Sequence, residues 1–188
     1  MEVSPEWIQA VRACAIVSWS GFAWRFHNQR YAADSHGGSL KVTGRYHRGR
    51  DRFPEADTWP ALYLALNPHI ALGERLRHTT PELLASLNGQ RLTELQVALH
   101  RVLVGCLLPD CARSAIPGVT ENDLCRPYDY AKPHELAAAA RAIGAEGMLV
   151  PSCTGFTDGN LVVFPDHLDA NSTIVVVHSE DPTLFTAQ

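Results

Sequence analysis

The chain has 188 residues, 46% of them apolar and 19% charged, with a formal net charge of −4. This is the composition of one soluble globular domain with its own core, and the acidic balance argues against a general nucleic-acid binder, which carries a basic surplus. Five cysteines (Cys14, Cys106, Cys111, Cys125, Cys153) with no C-x-x-C pair, nine histidines without metal spacing and an N-terminus without a basic leader signal neither a disulfide framework, a zinc site, a signal peptide nor a membrane span, so a reducing cytoplasm is expected.

"SPEWIQAVRACA" carries a proline in its first turn and predicts a short helix. "GFAWRFH" predicts a strand leading out of it, and "SLKVTGRYH" a further strand after the "SHGG" turn. "WPALYLAL" is short and apolar, which favours a buried strand. Asn67 then reads as an N-cap and Pro68 as the first residue of a helix with Leu72 and Leu76 on one face, ending before Pro81. "ELQVALHRVLV" has period 2 at Leu95, Val97 and Leu99; it tolerates a helix but is read as a strand. The stretch from Pro109 to Tyr130 is expected to be loop-rich. "PHELAAAARAIG" predicts a helix starting at Pro133 and stopped by Gly144, and "GMLVP", "NLVVF" and "STIVVVH" are short strands. Strands at both ends with helices between give an α+β plan.

The chemistry-bearing candidates begin with "GRYHRGRDR", four arginines and a histidine in nine positions. It suits a solvated hairpin, a nucleic-acid face or a clamp for a small anion. Arginine presents a planar fork that matches phosphate oxygens, and Arg45 directly follows Gly44, where backbone can approach a ligand closely. Arg25 lies within an aromatic strand, where an unpaired guanidinium is costly, so it reads as a buried ion pair or as the wall of an anion cleft. By periodicity Tyr63 is core packing, and Glu74 lies off the Leu72/Leu76 stripe as a solvent-facing carboxylate beside Arg77 or His78. Ser152 is a turn hydroxyl and His134 a first-turn residue. No P-loop, G-x-G-x-x-G or G-x-S-x-G motif is present.

The order "WRF", "GRY", "ALYLAL" with a glutamate eleven residues after its tyrosine, "AIGAEGMLVPS" and "GNLVVFP" resembles the RES-domain family, from about Trp24 to Val177. These are the toxin halves of Xre–RES toxin–antitoxin pairs. The resemblance implies a single domain over 1–188, with a helical extension over 1–22 and a core over 23–178. It also implies an α+β fold like that of ADP-ribosyltransferases and consumption of NAD⁺ by hydrolysis or phosphorolysis. Residue by residue it places the family's arginines on Arg25 and Arg45, its tyrosine on Tyr63, its glutamate on Glu74 and its Pro-Ser motif on Pro151 and Ser152. Glu74, Arg25 and Tyr63 are thereby implied as catalytic. Arg25, Arg45, Tyr63, His134 and Ser152 are implied as substrate-binding. Tyr46 stands where the family has tryptophan, and "AKPHELA" stands where some members place a hydroxyl. NAD⁺ is implied as substrate, inorganic phosphate as an optional second substrate, with no resident cofactor or metal. The implied partner is an Xre-type helix-turn-helix antitoxin, with no nucleic acid or membrane bound directly and self-association left open.

Chemistry agrees with this. Arginines answer a pyrophosphate, a tyrosine face can stack on nicotinamide, and a carboxylate stabilises the positive charge that develops on ribose as the glycosidic bond breaks. The alternatives are a macromolecular ADP-ribosyltransferase and a non-catalytic nucleic-acid or nucleotide module working through Lys41 to Arg52.

Overall fold

The computed structural model describes residues 3–77, 87, 89–104, 119–154 and 158–182. Helix α1 (Pro5–Arg12) precedes the long strand β1 (Ala15–Asn28), followed by β2 (Leu62–Ala65), α2 (Pro68–Leu76) and the 15-residue strand β3 (Gln90–Val104). Helices α3 (Glu121–Cys125) and α4 (Ala131–Ala142) lead to β4 (Gly147–Pro151), β5 (Gly159–Val163) and β6 (Thr173–Glu180). This is the α+β plan expected from the order of the patterns.

The strands close on themselves. The sheet runs β1-β2-β5-β4-β3, and β3 pairs again with β1, so five strands form a ring and β6 extends it along β3. Closure removes sheet edges that would otherwise present unpaired backbone. The two-residue period of the strands sorts side chains to its two sides. Leu62, Leu64, Leu149, Leu161 and Val163 fill the interior of the ring with Leu95, Val97 and Leu99. Met148, Val150 and Val162 face the other way, onto α4 and its alanine run. Small side chains at 137–140, all buried, let α4 lie close on the sheet.

β3 changes phase once. Leu99 and Val102 both point inward, with His100 and Arg101 between them and a register shift opposite Val17 to Trp19. The displaced N–H groups of His100 and Arg101 donate to Oε2 of Glu146, at 2.7 and 3.3 Å. Its Oε1 accepts from Asp169 N at 2.7 Å, and the Ser172 hydroxyl donates to both oxygens. Burial disfavours the charge on Glu146, but these donors outweigh it and hold the carboxyl below its usual range.

Helix ends follow local chemistry. The Asn67 side chain accepts from His69 N, with Pro68 at the first helical position, as the sequence predicts. Helix α4 stops at Gly144, whose φ of +77° is open to glycine, with Gly144 N bonding Arg141 O and Ala145 N bonding Ala140 O.

Several expectations are corrected. β1 begins at Ala15, so residues 15–22 are strand and not helical extension. "SLKVTGRYH" is not a strand but a series of turns with one isolated bridge, Gly44 to His47. Side chains replace ladder partners there: Asp51 Oδ1 accepts from Thr43 N at 2.7 Å and from the Thr43 hydroxyl at 2.6 Å, and Gly49 N donates to that hydroxyl. In α2 the buried residues are Ile70 and Ala71, not Leu72 and Leu76. α3 falls inside the stretch expected to be loop, started by a reciprocal cap between Thr120 and Asp123. α4 begins at Ala131, which puts Pro133 at its third position. Cys106, Cys111, His78 and Pro81 lie outside the described residues.

Candidate active site

A cleft of about 430 Å³ opens where β1, β2, β5 and α2 meet the turns around Arg45. Residues remote in sequence converge there: Arg25, Arg45, Tyr63, Glu74, Arg75, Arg77, Cys153 and Asn160 all line it.

Glu74 owes its position to the face of α2 that is actually buried. It follows Ile70 by four residues and Ala71 by three, so it points inward with them. Its Oε1 accepts three hydrogen bonds: from Ser152 Oγ at 2.9 Å, Cys153 N at 3.1 Å and Asn160 Nδ2 at 3.1 Å. Donors from the end of β4 and from β5 thus fix a carboxylate carried by α2. Fixed charges of this kind need no reorganisation when charge develops beside them. The solvent-facing reading of Glu74 is therefore overturned.

The two arginines are anchored differently. Nη1 of Arg25 donates to the carbonyl of Ala33 and, at 2.8 Å, to that of Ser35. Burial lowers the guanidinium pKa, partly countered by Asp34. Arg45 reaches across to the end of α3, where its Nη1 donates to Leu124 O at 2.7 Å and Arg126 O at 2.9 Å, with Tyr130 stacked 5.2 Å away. Both arginines are held by neutral carbonyls, which orient the guanidinium without neutralising it.

Tyr63 lines the cleft with its ring, while its hydroxyl accepts from Tyr46 N at 2.8 Å and bonds His47 Nδ1 at 2.9 Å. Burial raises its pKa, and the hydrogen bond from Tyr46 N works the other way. His47 packs into the space beside Gly44: a Cβ on Gly44 would lie 2.2 Å from its Cε1. Glycine at 44 thus accommodates an imidazole as well as bordering the cleft.

His134, which the resemblance implies as substrate-binding, is not among the residues that line the cleft. It is buried behind the cleft wall, Nε2 on Gly44 O at 2.8 Å, with the rings of Phe53, Trp59 and Tyr130 around it. It props the backbone beside Arg45. Ser152, 3% exposed, likewise reaches Glu74 and not the cleft surface. The remaining arginines of the basic stretch do not share one environment. Arg48 is 8% exposed, 3.6 Å from Glu135 and stacked on Phe53 and Trp59. Arg50 pairs with Glu55, and Arg52 lies 3.7 Å from Asp51.

Sequence reasoning did not single out Asn160, Arg77 or Cys153. Asn160 had a signal: it is the one polar side chain of β5 and shares the parity of Val162, away from the ring interior. Cys153 had none, because its neighbours come from three separate segments.

The model of the RES domain matches residues 22–184. The chain belongs to the RES-domain family. Among solved structures, this RES domain is similar to one chain in the crystal structure of the M. tuberculosis MbcT-MbcA toxin–antitoxin complex, with a TM-score of 0.76 at 19% identity, over 99% of this chain and 98% of the other. At that identity the likeness establishes the shared fold. No curated protein matches the chain. Among the described residues no helix is long and apolar enough to cross a membrane.

Proposed function

We propose that this RES domain is an NAD⁺-consuming toxin that cleaves the nicotinamide–ribose bond, with water or inorganic phosphate as acceptor, and that a cognate Xre-type antitoxin holds it inactive. The observation that carries the reading is Glu74: a carboxylate fixed by three donors that lines one cleft with two arginines held by carbonyls. Arg25 and Arg45 bind the pyrophosphate as a fork binds an anion. The Tyr63 ring supports the nicotinamide. As the glycosidic bond breaks, its electron pair moves to the pyridinium nitrogen and neutral nicotinamide departs, so no general acid is required. Positive charge appears on the ribose, and Glu74 stabilises it. Water then gives ADP-ribose and phosphate gives ADP-ribose-1″-phosphate, each with release of a proton. A cytoplasm supplies both NAD⁺ and phosphate.

The antitoxin partner is supported by the similar solved structure, which is a toxin–antitoxin complex. The nucleic-acid reading is weakened by internal engagement of the basic stretch, since Arg48, Arg50 and Arg52 each face an acidic side chain of the same chain.

Incubation with NAD⁺, with and without phosphate, tests the proposal. Free nicotinamide is expected, and the second product identifies the acceptor; a labelled macromolecule instead marks ADP-ribosyl transfer. Glu74→Gln preserves shape but removes the charge, and should lower turnover by at least about a hundredfold. Turnover within a few-fold of wild type sinks the assignment. Co-expression with a neighbouring helix-turn-helix protein should give a complex that no longer consumes NAD⁺; a complex working at full rate overturns inhibition by that partner.

A further inference from the structure

One cross-strand row runs along the cleft. Trp24 of β1 lies opposite Ala65 of β2, Ala65 opposite Asn160 of β5, and Asn160 opposite Val150 of β4, and all four line the cleft. Residues directly opposite one another share a face of the sheet. Asn160 brings the only side-chain acceptor to this row, since the indole of Trp24 only donates. Its amide is oriented by chemistry. A carboxylate oxygen only accepts, so the group 3.1 Å from Glu74 Oε1 is the Nδ2 donor. Oδ1 of Asn160 then accepts no hydrogen bond among the described residues, and it is not one of the buried polar atoms sealed off without a partner. It is open on the cleft that Asn160 lines. Glu74 is left in a matching state: all three of its donors go to Oε1, and Oε2 has no hydrogen-bond partner among the described residues. Two open acceptors, Glu74 Oε2 and Asn160 Oδ1, thus belong to one cleft and are tied together through one amide.

We propose that Asn160 Oδ1 accepts a hydrogen bond from the 2-hydroxyl of the nicotinamide ribose, and that Asn160 thereby selects ribosyl over 2-deoxyribosyl substrates. The choice of hydroxyl rests on the function proposed above. Under that function the free oxygen of Glu74 faces the ribose carbon that loses nicotinamide. The hydroxyl on the next carbon is the substrate donor nearest to that centre, and Oδ1 is an acceptor without a donor. As positive charge builds on the ribose, the hydroxyl becomes a better donor and its bond to Oδ1 strengthens. The contact therefore stabilises the transition state more than the bound substrate.

Ser152 supplies the contrast. Its hydroxyl holds the same oxygen of Glu74, at 2.9 Å, but it is 3% exposed and does not line the cleft. Two side chains thus position one carboxylate through one atom, and only Asn160 also reaches the cleft. Loss of either loosens Glu74. Only loss of Asn160 removes an acceptor from the substrate as well, and a site built to bond a hydroxyl discriminates against the analogue that lacks it.

The experiment measures kcat/KM of the whole chain for NAD⁺ and for the analogue carrying 2-deoxyribose on the nicotinamide side, in wild type, Asn160→Ala and Ser152→Ala. Both variants should turn NAD⁺ over more slowly than wild type. Asn160→Ala should lower the preference for NAD⁺ over the deoxy analogue by about tenfold, whereas Ser152→Ala should leave that ratio within about twofold of wild type. Asn160→Val, which suits a strand and also lacks an acceptor, replaces the alanine variant if that does not fold. An unchanged ratio in the Asn160 variant means that Asn160 only props Glu74, and the ribose contact is overturned. An equal shift in Ser152→Ala overturns it too, because the discrimination then belongs to the position of Glu74. If wild type leaves NAD⁺ intact, the functional reading itself fails and the ribose contact falls with it; if wild type consumes NAD⁺ and the ratio does not move, the contact alone is lost.

Discussion

The four arginines of "GRYHRGRDR" look equivalent in the sequence and are not equivalent in the fold. Arg45 lines the cleft with Nη1 fixed on two carbonyls, and a guanidinium has three further N–H donors on Nη2 and Nε. Arg45→Ala should weaken NAD⁺ binding by about one to two powers of ten, since a hydrogen bond to a charged group contributes about 1.5–3 kcal/mol. Arg50 and Arg52 pair at the surface, where such contacts contribute about 0–1 kcal/mol, so Arg50→Ala with Arg52→Ala should change affinity less than about fivefold. Arg48→Ala removes a buried stack on Phe53 and Trp59 and should lower Tm instead. Isothermal titration with NAD⁺ on a Glu74→Gln background measures the affinities. A larger loss from the double change than from Arg45→Ala would move the phosphate site to the surface turns. Residue types alone could not separate these roles, because burial of Arg48 depends on aromatic rings supplied by later segments.

At the scale of elements, the strands and the two longer helices were legible because their signals are local: period 2 in β3, the Asn67-Pro68 start of α2, the Gly144 stop of α4. The failures were places where side chains from elsewhere complete the backbone. The turns at 40–50 depend on Asp51 reaching back to Thr43, and the phase change in β3 depends on Glu146. Glu146 gives a direct test. Glu146→Gln keeps the volume but replaces one acceptor oxygen with a donor, so N–H groups from β3 or from Asp169 must lose their partner. A buried polar group left unpaired costs about 1–3 kcal/mol, which lowers Tm by roughly 2–4 °C per kcal/mol in a chain of this length. Thermal unfolding should show that drop while NAD⁺ turnover per folded molecule is retained. A Tm equal to wild type would mean that the phase change in β3 does not need the carboxylate.

At the scale of the whole molecule, the cleft is assembled from charged and polar groups partly withdrawn from water, and that makes stability depend on pH. Burial lowers the pKa of His47, His134 and His167 below the usual 6.5. The unfolded chain therefore binds more protons than the folded one as pH falls through 6.5, so the stabilisation from keeping these rings neutral is complete above 6.5 and is lost as pH falls through the folded values. Cys153 acts with the same sign at higher pH: with its pKa lowered from 9.0 to about 6, the folded thiol gives up its proton first, and stability rises between those values. Carboxyls with lowered pKa, Asp51, Glu146 and Asp166 among them, lose their contribution only below the ordinary carboxylate range. Tm should therefore climb from about pH 5 to about pH 8 in two overlapping arms, histidine below and thiol above. Cys153→Ser should flatten the upper arm and leave the lower one. A wild-type Tm that is level across this range, or highest at its acidic end, would contradict the burial of neutral imidazoles beneath Gly44 on which the position of Arg45 depends.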